Sequence, residues 1–61
     1  MRITVEVLLE RNSNPIVHDN VAAVERIWDG RAFRVTMKDE SAYYYTLANV
    51  TYFREIFDAN D

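Results

Sequence analysis

The sequence predicts an all-β, or mostly β, protein. The expected form is an antiparallel meander of four or five strands, curled into a half-barrel or a small SH3-like barrel, with a short C-terminal helical turn as an option. Three observations carry this expectation. Residues 2–10 alternate between apolar and polar side chains. An Asp29-Gly30 pair separates two β-prone runs. A second turn signal, Asp39-Glu40-Ser41, precedes a segment rich in tyrosine.

In the first segment Ile3, Val5, Val7 and Leu9 share one face, and Arg2, Thr4, Glu6 and Glu10 the other, with Leu8 as the exception. Period-two alternation marks a half-buried strand, and β-branched Ile, Thr and Val are poor helix formers. Arg11-Asn12-Ser13-Asn14-Pro15 clusters turn residues and reads as a loop. Ile16 to Asn20 is compatible with a short extended piece.

Val21 to Trp28 and Arg31 to Lys38 flank Asp29-Gly30. A type I′ turn needs positive φ at both central residues, which Asp-Gly tolerates well. A two-residue turn pairs Trp28 with Arg31, Glu25 with Arg34, Val24 with Val35 and Ala22 with Met37. That register sets opposite charges across the ladder and gathers Ala22, Val24, Trp28, Phe33, Val35 and Met37 on one face. A three-residue loop at Asp39-Glu40-Ser41 then pairs Met37 with Tyr43, Val35 with Tyr45 and Phe33 with Leu47. Residues 21–47 thus read as a three-stranded meander with one apolar face. For residues 48–57 a last strand, roughly 50–56, is favoured because Val-Thr-Tyr-Phe is β-prone. The competing helix rests on the spacing of Val50, Phe53 and Phe57, with Asn49 as its cap. The domain is expected to span residues 1–57, followed by a polar tail, 58–61.

Composition limits the functional classes. With 61 residues there is room for one domain, and such a domain buries only about 60% of its unfolded surface. The expected stability is roughly 3–5 kcal/mol. There is no Cys and a single His, His18, so neither a disulfide nor a conventional zinc site is expected, and no cofactor. Ten acidic and seven basic residues leave a net charge of −3, which argues mildly against general nucleic-acid binding. No window has the length of a membrane span, and Glu6 interrupts any leader-like run, so a cytoplasmic protein is expected. Asn49-Val50-Thr51 matches a glycosylation sequon, which has no meaning without secretion.

No catalytic constellation emerges. His18 precedes Asp19, but adjacent residues rarely orient one another, and Ser13 and Ser41 both fall in turns. The carboxylates are scattered, and one Gly in the whole chain rules out phosphate and dinucleotide loops. An enzyme is not expected.

Tyr43-Tyr44-Tyr45 is the most conspicuous run: alternation sends Tyr43 and Tyr45 to the core and Tyr44 outward, beside Arg34 and Lys38. Glu25 shares that face and offsets Arg34. Leu8 breaks a polar face, Ile27 sits on the outer face beside Ala32, and either Tyr52 or Phe53 must point outward. Several exposed apolar residues together predict a covered surface. The candidate interaction surface is therefore Leu8, Ile27, Arg34, Lys38 and Tyr44. The expected function is a non-enzymatic protein-interaction or accessory domain with an unidentified protein partner, acting as a homodimer. The first strand, if it lies at an edge, would pair with its own copy. A small nucleic-acid-binding barrel using Tyr44, Arg34 and Lys38 is the second class, and a minimal enzyme or ligand carrier the third.

Overall fold

The computed structural model describes residues 1–59. The strands are β1 (Arg2–Leu9), β2 (Ile16–His18), β3 (Val21–Ile27), β4 (Ala32–Met37), β5 (Ala42–Thr46) and β6 (Val50–Asp58), with a 3-10 turn at Leu47–Asn49 before β6. They form two antiparallel three-stranded sheets, ordered β2-β1-β6 and β3-β4-β5. The mostly β expectation holds. The two sheets do not close into a barrel.

Asn20 shows how one sheet hands the chain to the other. It stands between β2 and β3 with φ 59°, a left-handed conformation that Asn adopts more readily than most residues. Its carbonyl accepts the Lys38 N–H at 2.9 Å. The sharp bend ends pairing with β1 and lets β3 begin its own ladder with β4.

Alternation decides what each strand buries. Val5 and Val7 of β1 meet Val21 and Val35 in a fully buried valine centre, with Leu9, Val24, Met37 and Phe53 packed around it. Removing a valine side chain from water contributes about 1.5–3 kcal/mol. Phe53 of β6 stacks on Phe33 of β4, with centroids 4.0 Å apart, and this ring pair ties the two sheets together.

The first hairpin keeps the expected register near its turn: Val24 faces Val35 and Glu25 faces Arg34. Two departures occur. A bulge between Val21 and Ala23 sets Val21, not Ala22, opposite Met37. Such a bulge turns Val21 into the core while Ala22 stays exposed. Trp28 also leaves the expected inner face. It takes φ 52°, followed by Asp29 at 56° and Gly30 at 83°, and two overlapping turns bond Gly30 N–H to the Ile27 carbonyl and Arg31 N–H to the Trp28 carbonyl. The ladder therefore ends at Ile27–Ala32, and Trp28 swings out to 59% exposure.

The second hairpin pairs Val35 with Tyr43 and Phe33 with Tyr45, two residues away from the expected register. Its three-residue loop is Lys38-Asp39-Glu40. Glu40 is left-handed at φ 75°, and the Asp39 carboxylate accepts the Ser41 backbone N–H at 3.0 Å. A shift of two preserves side-chain parity, so the predicted faces survive although the predicted partners do not.

β1 lies in the middle of its sheet, between β2 and β6, so the condition for pairing with its own copy, a place at an edge, is not met. The last segment is a strand, longer than expected and running to Asp58, and the helical element is the 3-10 turn ahead of it. Asp58 thus belongs to β6 rather than to the expected tail, whose Asn60 and Asp61 lie outside the described residues. Tyr52 points outward, and its hydroxyl donates to Glu6 at 3.2 Å, while Phe53 points in.

Candidate interaction site

Strand alternation splits the three tyrosines into two environments. On the inner side, Tyr43 and Tyr45 meet His18 of β2. Tyr45 is half-buried there, but Tyr43 stays 45% exposed, so its expected core position is corrected: it lies at the margin of the small core. The Tyr45 hydroxyl and His18 Nε2 are hydrogen-bonded at 2.5 Å, and the His18 ring lies 4.5 Å from that of Tyr43. His18 is only 8% exposed, and burial lowers its pKa below the ordinary histidine value. Burial also raises the Tyr45 pKa, with Tyr43 adding to the shift. Both groups are thus held neutral, and the histidine is a packed, satisfied core residue. Asp19, its neighbour in sequence, points elsewhere and accepts from the Thr4 hydroxyl at 3.0 Å.

On the outer side, Tyr44 stacks on Trp28 with centroids 6.2 Å apart and rings 12° from parallel. Arg34 lies directly across from Tyr44 in the ladder and from Glu25 on its other side. Its guanidinium donates to Glu25 at 2.8 Å, and this bond, then the Tyr44 hydroxyl, raises its pKa further. Arg34 Nε is covered and makes no hydrogen bond. Around the corner, Arg26 lies 4.6 Å above the Phe33 ring and reaches the Gly30 carbonyl at 3.4 Å. A largely apolar cavity of about 630 Å³ opens beside Trp28, walled by Gly30, Arg31, Thr46, Leu47 and Ala48. The Leu47 N–H bonds the Arg31 carbonyl at 2.8 Å, which fixes the 3-10 turn against the first hairpin and shapes this cavity.

The sequence-derived candidates fall into three places. Arg34, Tyr44 and Ile27 share the outer face of the β3-β4-β5 sheet, where Ile27 pairs with Ala32 at the end of the ladder. Leu8 lies on the other sheet, half-buried opposite Tyr52. Lys38 sits in the second hairpin loop, away from the Trp28 turn, beside Asp19 and Asn20. Sequence reasoning missed Trp28 and Arg31. A two-residue turn continues alternation up to the turn and so assigns Trp28 inward. Nothing in the residue pattern announces that the bulky Trp28 itself takes a left-handed conformation.

Among the described residues no group of three or more His, Cys, Asp or Glu side chains is placed to hold a metal ion. No helix among them is long and apolar enough to cross a membrane. No family model, curated protein or solved structure matches the chain.

Proposed function

We propose that the protein is a non-enzymatic interaction module whose contact surface is the Trp28–Tyr44 corner with its adjoining cavity. The ligand that fits is an extended protein segment carrying an apolar side chain for the cavity and an acidic group for Arg31. The single observation behind this reading is the state of Trp28. A large aromatic residue stands at φ 52° in a turn, with more than half of its surface in water. Left-handed backbone costs a non-glycine residue about 1–2 kcal/mol, and burial does not repay that cost here. The stack on Tyr44 offsets that strain without hiding either ring, and an exposed Trp–Tyr pair beside arginines suits binding, since Trp, Tyr and Arg are the residues most often found as binding hot spots. Local charge supports the choice of an acidic ligand. Arg34 is tied to Glu25, whereas Arg31, in the wall of the cavity, has no ion-pair partner among the described residues.

A second reading, single-stranded nucleic acid, draws support from the same platform, because bases stack on exposed aromatic rings. The net charge of −3 and the tie between Arg34 and Glu25 weigh against it. Selection of linear peptides from a random display library on the immobilised protein decides between the two. The expected result is an enriched apolar-plus-acidic motif whose binding is lost in Trp28→Ala and Arg31→Glu. No enrichment, together with a salt-sensitive shift of single-stranded oligonucleotides, would replace the first reading with the second.

A further inference from the structure

The β2-β1-β6 sheet has two very unequal edges. β2 covers one side of β1 over three residues, Ile16–His18. β6 is nine residues long and, among the described residues, pairs with no strand but β1, so its other side is a sheet edge. Proteins usually blunt such edges by shortness, bulges or charges. β2 is short, and β3 carries its bulge at Val21/Ala23. β6 has an extra residue against β1 at Thr51 and carries Arg54, Glu55 and Asp58, but from Tyr52 to Asp58 its ladder with β1 runs without irregularity, and its charges are of both signs. Ile56 and Phe57, on opposite faces of that edge, are 40% and 56% exposed.

We infer that β6 is a self-association edge: two copies join antiparallel, β6 to β6, about a two-fold axis at Ile56, so that the two sheets become one. A two-fold perpendicular to a sheet keeps each face continuous, so a residue faces either itself or a residue an even number of positions away. Centring on Arg54 sets two arginines face to face, and centring on Glu55 does the same for two glutamates. Centring on Phe53 places the 3-10 turn opposite Phe57 of the second copy. Centring on Ile56 sets Ile56 against its copy and Arg54 against the copy's Asp58.

The neighbouring strands strengthen this choice. In one chain Glu6 faces Arg54, with their side chains 3.0 Å apart, and Arg2 faces Asp58. All four share the outer face. In the dimer a single rung therefore reads Glu6, Arg54, then Asp58 and Arg2 of the second copy, alternating in sign across four strands. The two-fold axis repeats this rung on the other side of Ile56. Complementarity of this kind fixes register more than it adds affinity, and the short ladder predicts a weak dimer, with dissociation at about tens of micromolar. Glu55, exposed and paired with Val5 within its own sheet, would meet its own copy if the axis lay one residue away, so like-charge repulsion disfavours that register.

A residue that meets its own copy permits a direct test, independent of the Trp28 corner. Sedimentation equilibrium of the intact chain should show a monomer–dimer equilibrium. Ile56→Lys alone and Ile56→Glu alone, each with native far-UV circular dichroism, should weaken it by roughly a hundredfold, because two like charges then meet at the axis. A mixture of the two variants should dimerise again. Trp28→Ala should leave association unchanged, and backbone amides in 54–58 should exchange more slowly as concentration rises. A chain that stays monomeric at hundreds of micromolar would overturn the inference. So would variants of Ile56 that dimerise normally, a mixture that stays monomeric, or association lost in Trp28→Ala.

Discussion

Tyr44 and Tyr45 are adjacent in sequence and have opposite fates. Tyr45 turns its ring to the core and satisfies its hydroxyl on His18, while Tyr44 keeps 53% of its surface exposed and stacks on Trp28. The core pair answers the usual demand that a buried polar atom find a partner. The outer pair answers no such demand, because neither ring is hidden and the tryptophan beneath it sits on a strained backbone. Tyr45 therefore helps to hold the fold together, and Tyr44 is available for use.

Substitution to alanine should separate the two sides most strongly. Tyr45→Ala removes a half-buried ring and strands His18 without its hydroxyl, at an expected cost of about 2–3 kcal/mol. That is most of what a domain this small possesses. Tyr44→Ala should cost less than about 1 kcal/mol. Urea denaturation followed by circular dichroism measures both, and equal losses would erase the distinction between the faces.

The outer side depends on the turn beneath it. A β-carbon at Gly30 would lie 3.7 Å from Arg26 Nη1, an ordinary contact, so space is not the obstacle. The obstacle is φ 83°, which a β-branched residue tolerates badly. Gly30→Val should destabilise by at least about 1 kcal/mol. It should also change the Trp28 emission in the folded state. A fully stable Gly30→Val protein with unchanged fluorescence would mean that the turn does not hold Trp28 as described.

These two sides were unequally legible in the residues alone. The inward and outward assignments of Tyr43, Tyr44 and Tyr45 follow from strand parity, and parity is robust because a register error of two leaves it intact. The pairing of Glu25 with Arg34 was legible because turn chemistry and charge agree there. The partners of Tyr43 and Tyr45 were not. The loop's position depends on Glu40 accepting a left-handed conformation and on the Asp39 carboxylate capturing the Ser41 N–H, and neither preference exceeds that of the neighbouring turn residues. The place of β1 at the centre of its sheet was also hidden, since strand order is a long-range property. Trp28 was missed for the reason that makes it of interest: local rules place a tryptophan inside and away from positive φ.

Acid should weaken the core side and leave the outer pair's own contacts untouched. The unfolded chain binds a proton at His18 with the ordinary histidine pKa of about 6.5, whereas the folded chain resists it because burial has lowered that pKa. The contribution of neutral His18 is therefore constant above the ordinary value and declines as pH falls below it toward the lowered one. Chemical denaturation at steps between about pH 7 and pH 5 should show this slope, and His18→Gln should remove it. The Asp39 carboxylate, whose pKa the Ser41 hydroxyl lowers, acts in the more acidic carboxylate range and does not share this window. A slope that persists in His18→Gln would assign the effect to other groups.

The smallest expected change in stability belongs to Trp28 itself, and its smallness is the informative part. Trp28→Asn removes the stack with Tyr44, a contact worth about 0.5–1.5 kcal/mol. It also places at φ 52° a residue that tolerates left-handed backbone far better, relieving a strain of similar size. The two effects oppose each other, so the net change should lie within about 0.5 kcal/mol of zero. Asn can still satisfy the overlapping turn bonds, because those use the backbone of Ile27, Trp28, Gly30 and Arg31. A tryptophan that is replaceable without loss of stability, yet whose replacement abolishes peptide capture, is retained for binding. If Trp28→Asn instead costs 2 kcal/mol or more, on the scale of about 2–5 kcal/mol set by deleting a buried side chain, the stack is part of the fold's own support, and the contact surface must be sought elsewhere.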